Sequence, residues 1–414
     1  AWMTVDNVRI LVVDDQAKTD KKTQYFEAPY AVSKISDKQR AQWLDFSKNV
    51  AIKLPELNPY FASDFSLLKL DTSRLLPRLI EQQQGTAVYA MPSHYFANEP
   101  KANIALAFSM VNKADDLKQS ISASILNYMN ALIQSKIDFQ ASVAGMDVSL
   151  SASENGIALS ASGYTQHLSQ LVMDVVNQFA HFELSEAVLA QAKQRVLEML
   201  DQAEKDNALR QANQALTNFA HYPYFDTDKT RKMVAEITLA DIQQLRKKLL
   251  SQVMGLNALS VGNLSDAQLT DLIHAVGKVV HNQNSAIDLG RYLDINQSQR
   301  KLNYIKSISH EDNALAIAFF PNGYEELAGI SRAMLLKDII SRWYFDDLRT
   351  DNQLGYVVYA SQAKIGKTSG LQFLVQSPTA SPKTIMQHNQ RFFAETLAKL
   401  NAMSAEEFEK YRAS

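Results

Sequence analysis

The sequence of 414 residues contains no cysteine. This absence excludes disulfide bonds, zinc–thiolate sites and a thiol nucleophile. No apolar run approaches the roughly 18 residues of a membrane-spanning helix, and only 13 glycines and 10 prolines are spread along the chain. Charge of neither sign dominates, because the chain contains 42 Lys and Arg residues and 44 Asp and Glu residues. We therefore expect neither a nucleic acid nor a membrane as a partner, since both would require a basic excess or an apolar anchor.

Motifs of the common hydrolases are missing as well. The zinc peptidase motifs H-E-x-x-H and H-x-x-E-H place two imidazoles four residues apart on one helix face, with a Glu beside them. The G-x-S-x-G elbow, the Walker phosphate loop and G-x-G-x-x-G are also absent. Taken alone, the chain has no self-sufficient catalytic centre, and we expect no metal ligands in it. No two of its eight histidines have the required spacing: His94, His167, His181, His221, His274, His281, His310 and His388.

The sequence does contain a repeated order of strands and amphipathic helices. Alternating apolar residues predict a strand at 103–108, and helical spacing predicts a helix at 117–133, before a hairpin. The same order returns with a strand at 313–319 and a helix at 327–343. Gly355 then falls opposite Gly145. A period this long indicates duplicated domains and not a solenoid.

The two units predict an α+β fold made of two homologous domains, each a mostly antiparallel sheet covered by helices. The first unit continues through a strand at 257–261 and a helix that opens with a capping box at Ser265. The second unit has no counterpart of these elements, so we expect its domain to be truncated. Residues 7–13 resemble the strand at 257–261, and they predict the closing strand of a preceding domain.

One stretch, residues 343–359, combines an aromatic helix end, a polar turn and a strand. Arg349 and Tyr356 bracket the turn, and Met146 stands opposite Tyr356 in the first unit. In the ordinary interpretation, Tyr356 is a half-buried strand residue and Arg349 is a cation at the negative end of the helix dipole. In the functional interpretation, both side chains serve a binding or catalytic site. The residues alone leave both interpretations open.

Residues 348–356, Leu-Arg-Thr-Asp-Asn-Gln-Leu-Gly-Tyr, resemble the L-R-T-x-x-Q-L-G-Y signature of the pitrilysin/insulin-degrading-enzyme family of zinc peptidases. The resemblance covers nearly the whole chain, as the C-terminal half of such an enzyme, and implies the insulinase/LuxS-like metallohydrolase fold. Further stretches that resemble the family are 54–60, 163–166, 261–264 and 373–377.

The resemblance implies four homologous domains in the complete protein, two in each half, around a closed chamber. The family's inverted zinc motif H-x-x-E-H lies in the first domain, so we expect zinc in the full-length enzyme and none bound to this chain. The implied segments are a closing strand of the preceding domain at 1–17, an inter-half linker at 18–60, a third domain at 61–280, a connection at 281–299 and a truncated fourth domain at 300–414.

The resemblance also implies roles for two side chains. Tyr356 is expected to donate a hydrogen bond to the developing oxyanion of the scissile carbonyl, and Arg349 to bind a nearby carbonyl of the substrate backbone. The implied partners are peptide or small-protein substrates and the N-terminal half of the same polypeptide. The implied location is the periplasm. The alternative is a catalytically inactive, core-subunit-like scaffold or peptide-binding protein of the same fold, which we would expect to lack both side chains.

Overall fold

The computed structural model describes residues 7–49, 56–71, 73–110, 116–220, 227–283, 304–308, 310–320, 326–365 and 368–413. The chain divides into two compact units, Ala1–Asn58 and Pro59–Ser414. Most of the predicted connection, residues 284–299, lies outside the described residues, as do residues 1–6, 50–55 and 300–303 at or near the other predicted boundaries. The five predicted segments remain a prediction.

The first compact unit contains a small antiparallel ribbon and one helix. Strands β1 (Lys21–Lys22) and β2 (Pro29–Tyr30) pair with each other, and helix α1 (Asp37–Asn49) follows. Residues 7–13 are exposed and form no strand. Their assignment as the closing strand of a preceding domain therefore also remains a prediction.

The first repeat is built on a six-stranded sheet in the order β3-β4-β8-β5-β7-β6. Only β4 and β8 run parallel. Side chains along β5 alternate between buried and exposed, so one face of the sheet carries the core. The strands are β3 (Arg78–Gln83), β4 (Thr86–Met91), β5 (Lys101–Ser109), β6 (Asp147–Ser153), β7 (Gly156–Tyr164) and β8 (Gly255–Gly262).

Helices cover that core face. Helix α3 buries Leu168, Leu171, Val172, Val175 and Phe179, which recur at helical spacing. The predicted capping box at Ser265 is confirmed, because Ser265 and Gln268 hydrogen-bond reciprocally at the start of α8. The helices of the first repeat, of which α5 packs elsewhere, are α2 (Leu117–Val143), α3 (Thr165–His181), α4 (Glu186–Lys205), α5 (Ala208–Ala220), α6 (Thr227–Glu236), α7 (Leu239–Ser251) and α8 (Asp266–Gly277).

The second repeat has the same strand order as one end of the first sheet. Its sheet runs β10-β11-β9, as β6-β7-β5 does, and both pairings are antiparallel. The predicted fold class is therefore confirmed. Its elements within the described residues are β9 (Asn313–Phe319), α9 (Glu326–Phe345), a π-helical turn (Asp346–Asp351), β10 (Val357–Ile365), β11 (Thr368–Ser377), α10 (Pro382–Ala402) and α11 (Ala405–Ala413).

Helix α5 of the first repeat packs against the sheet of the second. The Leu209 N–H donates to Gln376 Oε1 at 3.3 Å. Leu374 is fully buried, although it alternates with Phe373 and Val375, which belong to the core beneath α9 and α10. The second sheet is therefore covered on both faces, and this packing joins the two repeats in one compact unit.

Candidate functional site

The predicted site lies where α9 ends and β10 begins. Helix α9 widens there into the π-helical turn, in which the Asn352 N–H donates to the carbonyl of Asp347 at 3.0 Å. Leu348 is fully buried and fixes the turn to the core. Short π-helical segments inside α-helices are frequent at functional sites, and this one carries Arg349.

The chain leaves the helix through a left-handed residue, whose position differs between the two repeats. Gly145, which lies opposite Gly355 in the sequence, has φ +72° and ends α2. In the second repeat the positive φ is instead at Gln353, with φ +48°, two residues earlier. Buried Leu354 follows Gln353 as buried Met146 follows Gly145. The second repeat therefore has a longer connection before its strand, and Tyr356 belongs to it.

Gly355 does not serve as a left-handed helix end as Gly145 does. It allows a close approach of two backbones. A Cβ atom at this position would lie 1.9 Å from the carbonyl oxygen of Gln376, so only glycine lets the backbone approach β11 this closely. The close approach holds the peptide between Gly355 and Tyr356 against the sheet. It also fixes the position of Tyr356, which directly precedes β10.

Arg349 and Tyr356 are brought together by this turn. Arg349 Nη1 donates to the backbone carbonyl of Tyr356 at 2.8 Å. The guanidinium carbon lies 5.1 Å from the Phe345 ring centroid and 5.8 Å from that of Tyr356, within cation–π range. Arg349 thus bonds to a carbonyl beyond the helix, and its other N–H groups have no partner among the described residues.

The Tyr356 side chain is 80% exposed. The interpretation of Tyr356 as a half-buried strand tyrosine is therefore wrong. Met146, which has the same register relative to its strand, is 1% exposed. The two repeats share a backbone plan, but only the second presents a phenol to solvent.

Hydrogen bonds within the turn and with two residues of α10, Asn389 and Arg391, hold the turn in place, and sequence reasoning missed the α10 residues. Asp347 Oδ1 accepts hydrogen bonds from Asn352 Nδ2 at 2.6 Å and from Arg391 of α10. Beneath them, the buried Tyr344 hydroxyl donates to Asn389 Oδ1 at 2.9 Å. Burial raises the pKa of Tyr344; the Asn389 hydrogen bond offsets part of that shift, and the Asp347 charge adds to it. Tyr344 therefore stays neutral and serves as a support.

The donor set of the described residues does not suit zinc. Within those residues no group of three or more His, Asp or Glu side chains lies close enough to hold a metal ion. One histidine–carboxylate contact among the described residues joins His274 Nε2 to Glu81 Oε2 at 4.0 Å, between two residues only, whereas protein zinc sites use three or four ligands. No helix in the described part of the chain combines the length and apolar composition that a bilayer crossing requires.

Two family descriptions match the chain. Residues 1–232 match the middle or third domain of peptidase M16. Residues 335–414 match the C-terminal lobe domain 4 of PqqF-like PQQ synthases. The second match contains the whole turn from Asp346 to Tyr356.

Curated relatives match almost the entire chain. It is 34% identical to Protease 3 of Salmonella typhimurium over 408 residues, which cover 99% of this chain and 42% of that protein. It is 22% identical to Insulin-degrading enzyme-like 2 of Arabidopsis thaliana, over 98% of this chain and 43% of the relative. The chain thus spans about two fifths of the length of these relatives.

Solved structures agree with these matches. The crystal structure of pitrilysin superposes with a TM-score of 0.80 at 32% identity, over 96% of this chain and 42% of that one. A peptidase M16 inactive domain from Pseudomonas fluorescens shares the fold, with a TM-score of 0.58 at 14% identity over 82% of this chain and 83% of that one. Because the middle-domain match alone covers residues 1–232 of 414, the chain belongs to the M16 family of peptidases, as its Leu348–Tyr356 motif predicted.

Proposed function

We propose that this chain is the C-terminal, non-zinc half of a zinc metalloendopeptidase that degrades small proteins and peptides. In this proposal the chain lines a closed chamber, binds the substrate in an extended conformation, and supplies Arg349 and Tyr356. The observation that carries the proposal is the 80% exposure of the Tyr356 side chain. Its backbone is fixed at the same time by Gly355 against Gln376 and by the Arg349 hydrogen bond.

The chemistry of peptide hydrolysis explains why a fixed phenol is useful. Attack on the scissile carbonyl develops negative charge on its oxygen, and a hydrogen-bond donor already in place stabilises that charge without reorganising. The Tyr356 hydroxyl is such a donor. Loss of one donor of this kind typically costs about 2.7–4 kcal/mol in the transition state.

Arg349 has a second role in this proposal. One N–H group braces the Tyr356 carbonyl, which leaves other donors of the guanidinium for a carbonyl of the substrate backbone. The same side chain would then couple the position of the substrate to the position of the phenol. Neither role requires contact with a metal.

The zinc that activates the attacking water, and the ligands that hold it, would come from the N-terminal half of the same polypeptide. Closure of the two halves would bring Arg349 and Tyr356 to the scissile bond and exclude bulk water. The purified chain alone is therefore expected to show no peptidase activity and to retain no zinc. Stoichiometric zinc together with turnover that a chelator abolishes would contradict this. By the family resemblance, we place the complete enzyme in the periplasm.

The test is Tyr356→Phe in the complete polypeptide, assayed on a peptide substrate. We expect kcat to fall by roughly 10²–10³-fold, with a much smaller change in KM, because the lost hydrogen bond forms mainly in the transition state. Tyr359→Phe is the matched control, since Tyr359 is also an exposed tyrosine of the same strand region. Wild-type kcat in Tyr356→Phe would contradict the catalytic role of Tyr356, whereas no turnover by the complete wild-type polypeptide would favour the inactive scaffold.

A further inference from the structure

Gln353 is held in a backbone conformation that does not suit it. Its φ of +48° lies in the left-handed region, which costs free energy for residues other than glycine because Cβ crowds the following carbonyl. Asparagine tolerates this region better than most residues, but glutamine has no such advantage. A helix end of this kind is normally occupied by glycine.

In the first repeat, glycine occupies the left-handed position at the helix end. Gly145, with φ +72°, ends α2 in a Schellman motif: its N–H donates to the carbonyl of Ser142, and the Met146 N–H donates to that of Ala141. In the second repeat the N–H after Gln353, that of Leu354, likewise donates back to the carbonyl of Leu348. The closing hydrogen bond spans five residues in the first repeat and six in the second, and glycine occupies the left-handed position of the first, so such a turn does not require a side chain there.

No hydrogen bond of the Gln353 side chain within the described residues offsets the strain of its backbone. Its side chain is exposed and has no hydrogen-bond partner among the described residues. It lies in the loop between Arg349 and Tyr356, which the Arg349 hydrogen bond closes. A residue with a strained backbone and a side chain without a hydrogen-bond partner, at a candidate site, indicates a role in function and not in stability.

We propose that Gln353 is a substrate-binding residue whose carboxamide hydrogen-bonds the backbone of the bound peptide beside the scissile bond. A carboxamide offers two donors and one acceptor group, which matches the N–H and C=O groups along an extended strand. The occupant is therefore a peptide in an extended conformation, recognised independently of its side chains. This inference rests on the proposed function of Arg349 and Tyr356.

Gln353→Gly in the complete polypeptide separates the side chain from the turn. Glycine relieves the left-handed strain, so the urea midpoint of unfolding should rise. We nevertheless expect KM for a peptide to increase about 3- to 10-fold, the effect of one lost hydrogen bond, with kcat changed less than threefold. Gln353→Asn keeps a carboxamide and tolerates the backbone, so it should recover part of the loss in KM.

Gly145→Gln is the matched control, because it places the same residue at the equivalent turn of the first repeat. It should lower the urea midpoint and leave KM unchanged. If Gln353→Gly keeps the wild-type KM while Tyr356→Phe still lowers kcat, Gln353 only ends the helix. The inference about Gln353 then fails, and the proposed function of Tyr356 stands. If Tyr356→Phe leaves kcat unchanged but Gln353→Gly raises KM, the peptide-binding role stands and the oxyanion role fails.

Discussion

The Arg349 guanidinium braces the peptide group that carries Tyr356, with Nη1 donating to the Tyr356 carbonyl at 2.8 Å. The two residues of the motif are therefore not independent groups that happen to share a turn. A change at Arg349 removes a substrate contact in the proposed mechanism and also loosens the backbone of the phenol. Their effects should couple, as expected for residues in direct contact.

Arg349→Lys is expected to lower kcat/KM on a peptide by roughly 10- to 100-fold, the effect of losing a charged hydrogen bond. Lysine keeps the charge, but its single ammonium cannot hold the Tyr356 carbonyl and a substrate carbonyl in the fork geometry of a guanidinium. Steady-state kinetics of the complete polypeptide measure this. Arg342→Lys is the control, since Arg342 is an exposed cation of α9 paired only loosely with Asp346. Wild-type kcat/KM in Arg349→Lys would show that the guanidinium is not required.

The elements that the sequence predicted well have regular side-chain periodicity. The strand predicted at 313–319 is β9, Asn313–Phe319, with the same bounds. The helix predicted at 117–133 instead continues to Val143. Its second half buries Gln134 and exposes Phe139. This is the reverse of an amphipathic helix, in which apolar side chains are buried and polar side chains are exposed. Gln134 is tolerated inside because its carboxamide bonds to Asn130 and Asp138 along the same helix.

The residues of the candidate site also divide into those that the sequence could predict and those that it could not. Arg349 and Tyr356 could be predicted because they lie in one contiguous motif. Arg391 could not, since its contact with Asp347 joins residues on different elements and has no local signal. The left-handed Gln353 could not be predicted either, because glutamine gives no signal for a positive φ. The contacts that Arg391 and Asn389 make with the site are tertiary, whereas Arg349 and Tyr356 lie close together in the sequence.

Gly355→Ala is expected to destabilise the second repeat strongly, by about 2–4 kcal/mol in the free energy of unfolding. The added Cβ would lie 1.9 Å from the Gln376 carbonyl oxygen, a backbone atom that cannot move without breaking the β10–β11 pairing. Urea denaturation measures the loss. Gly277→Ala is the matched control: a Cβ there meets nothing within 4 Å, and alanine should raise stability by up to about 1 kcal/mol. Equal unfolding midpoints for the two variants would rule out the close approach.

Asp241→Asn is expected to destabilise the chain at pH 7 by about 1 kcal/mol, and this difference should disappear in acid. Asp241 closes the capping box of α7 with Thr238 and bonds to Lys118 Nζ at 2.7 Å. Burial alone would raise the pKa of Asp241, but the hydrogen bonds from Lys118 and Thr238 outweigh it and lower the pKa. A lowered native pKa stabilises the fold above the unfolded pKa of about 3.9, and that contribution is lost as the pH falls through the native value. Gln268→Ala is the control, because the capping box of α8 uses a neutral side chain and its loss should not depend on pH. A constant gap between wild type and Asp241→Asn from pH 7 to pH 3 would mean that the Asp241 charge contributes nothing to stability.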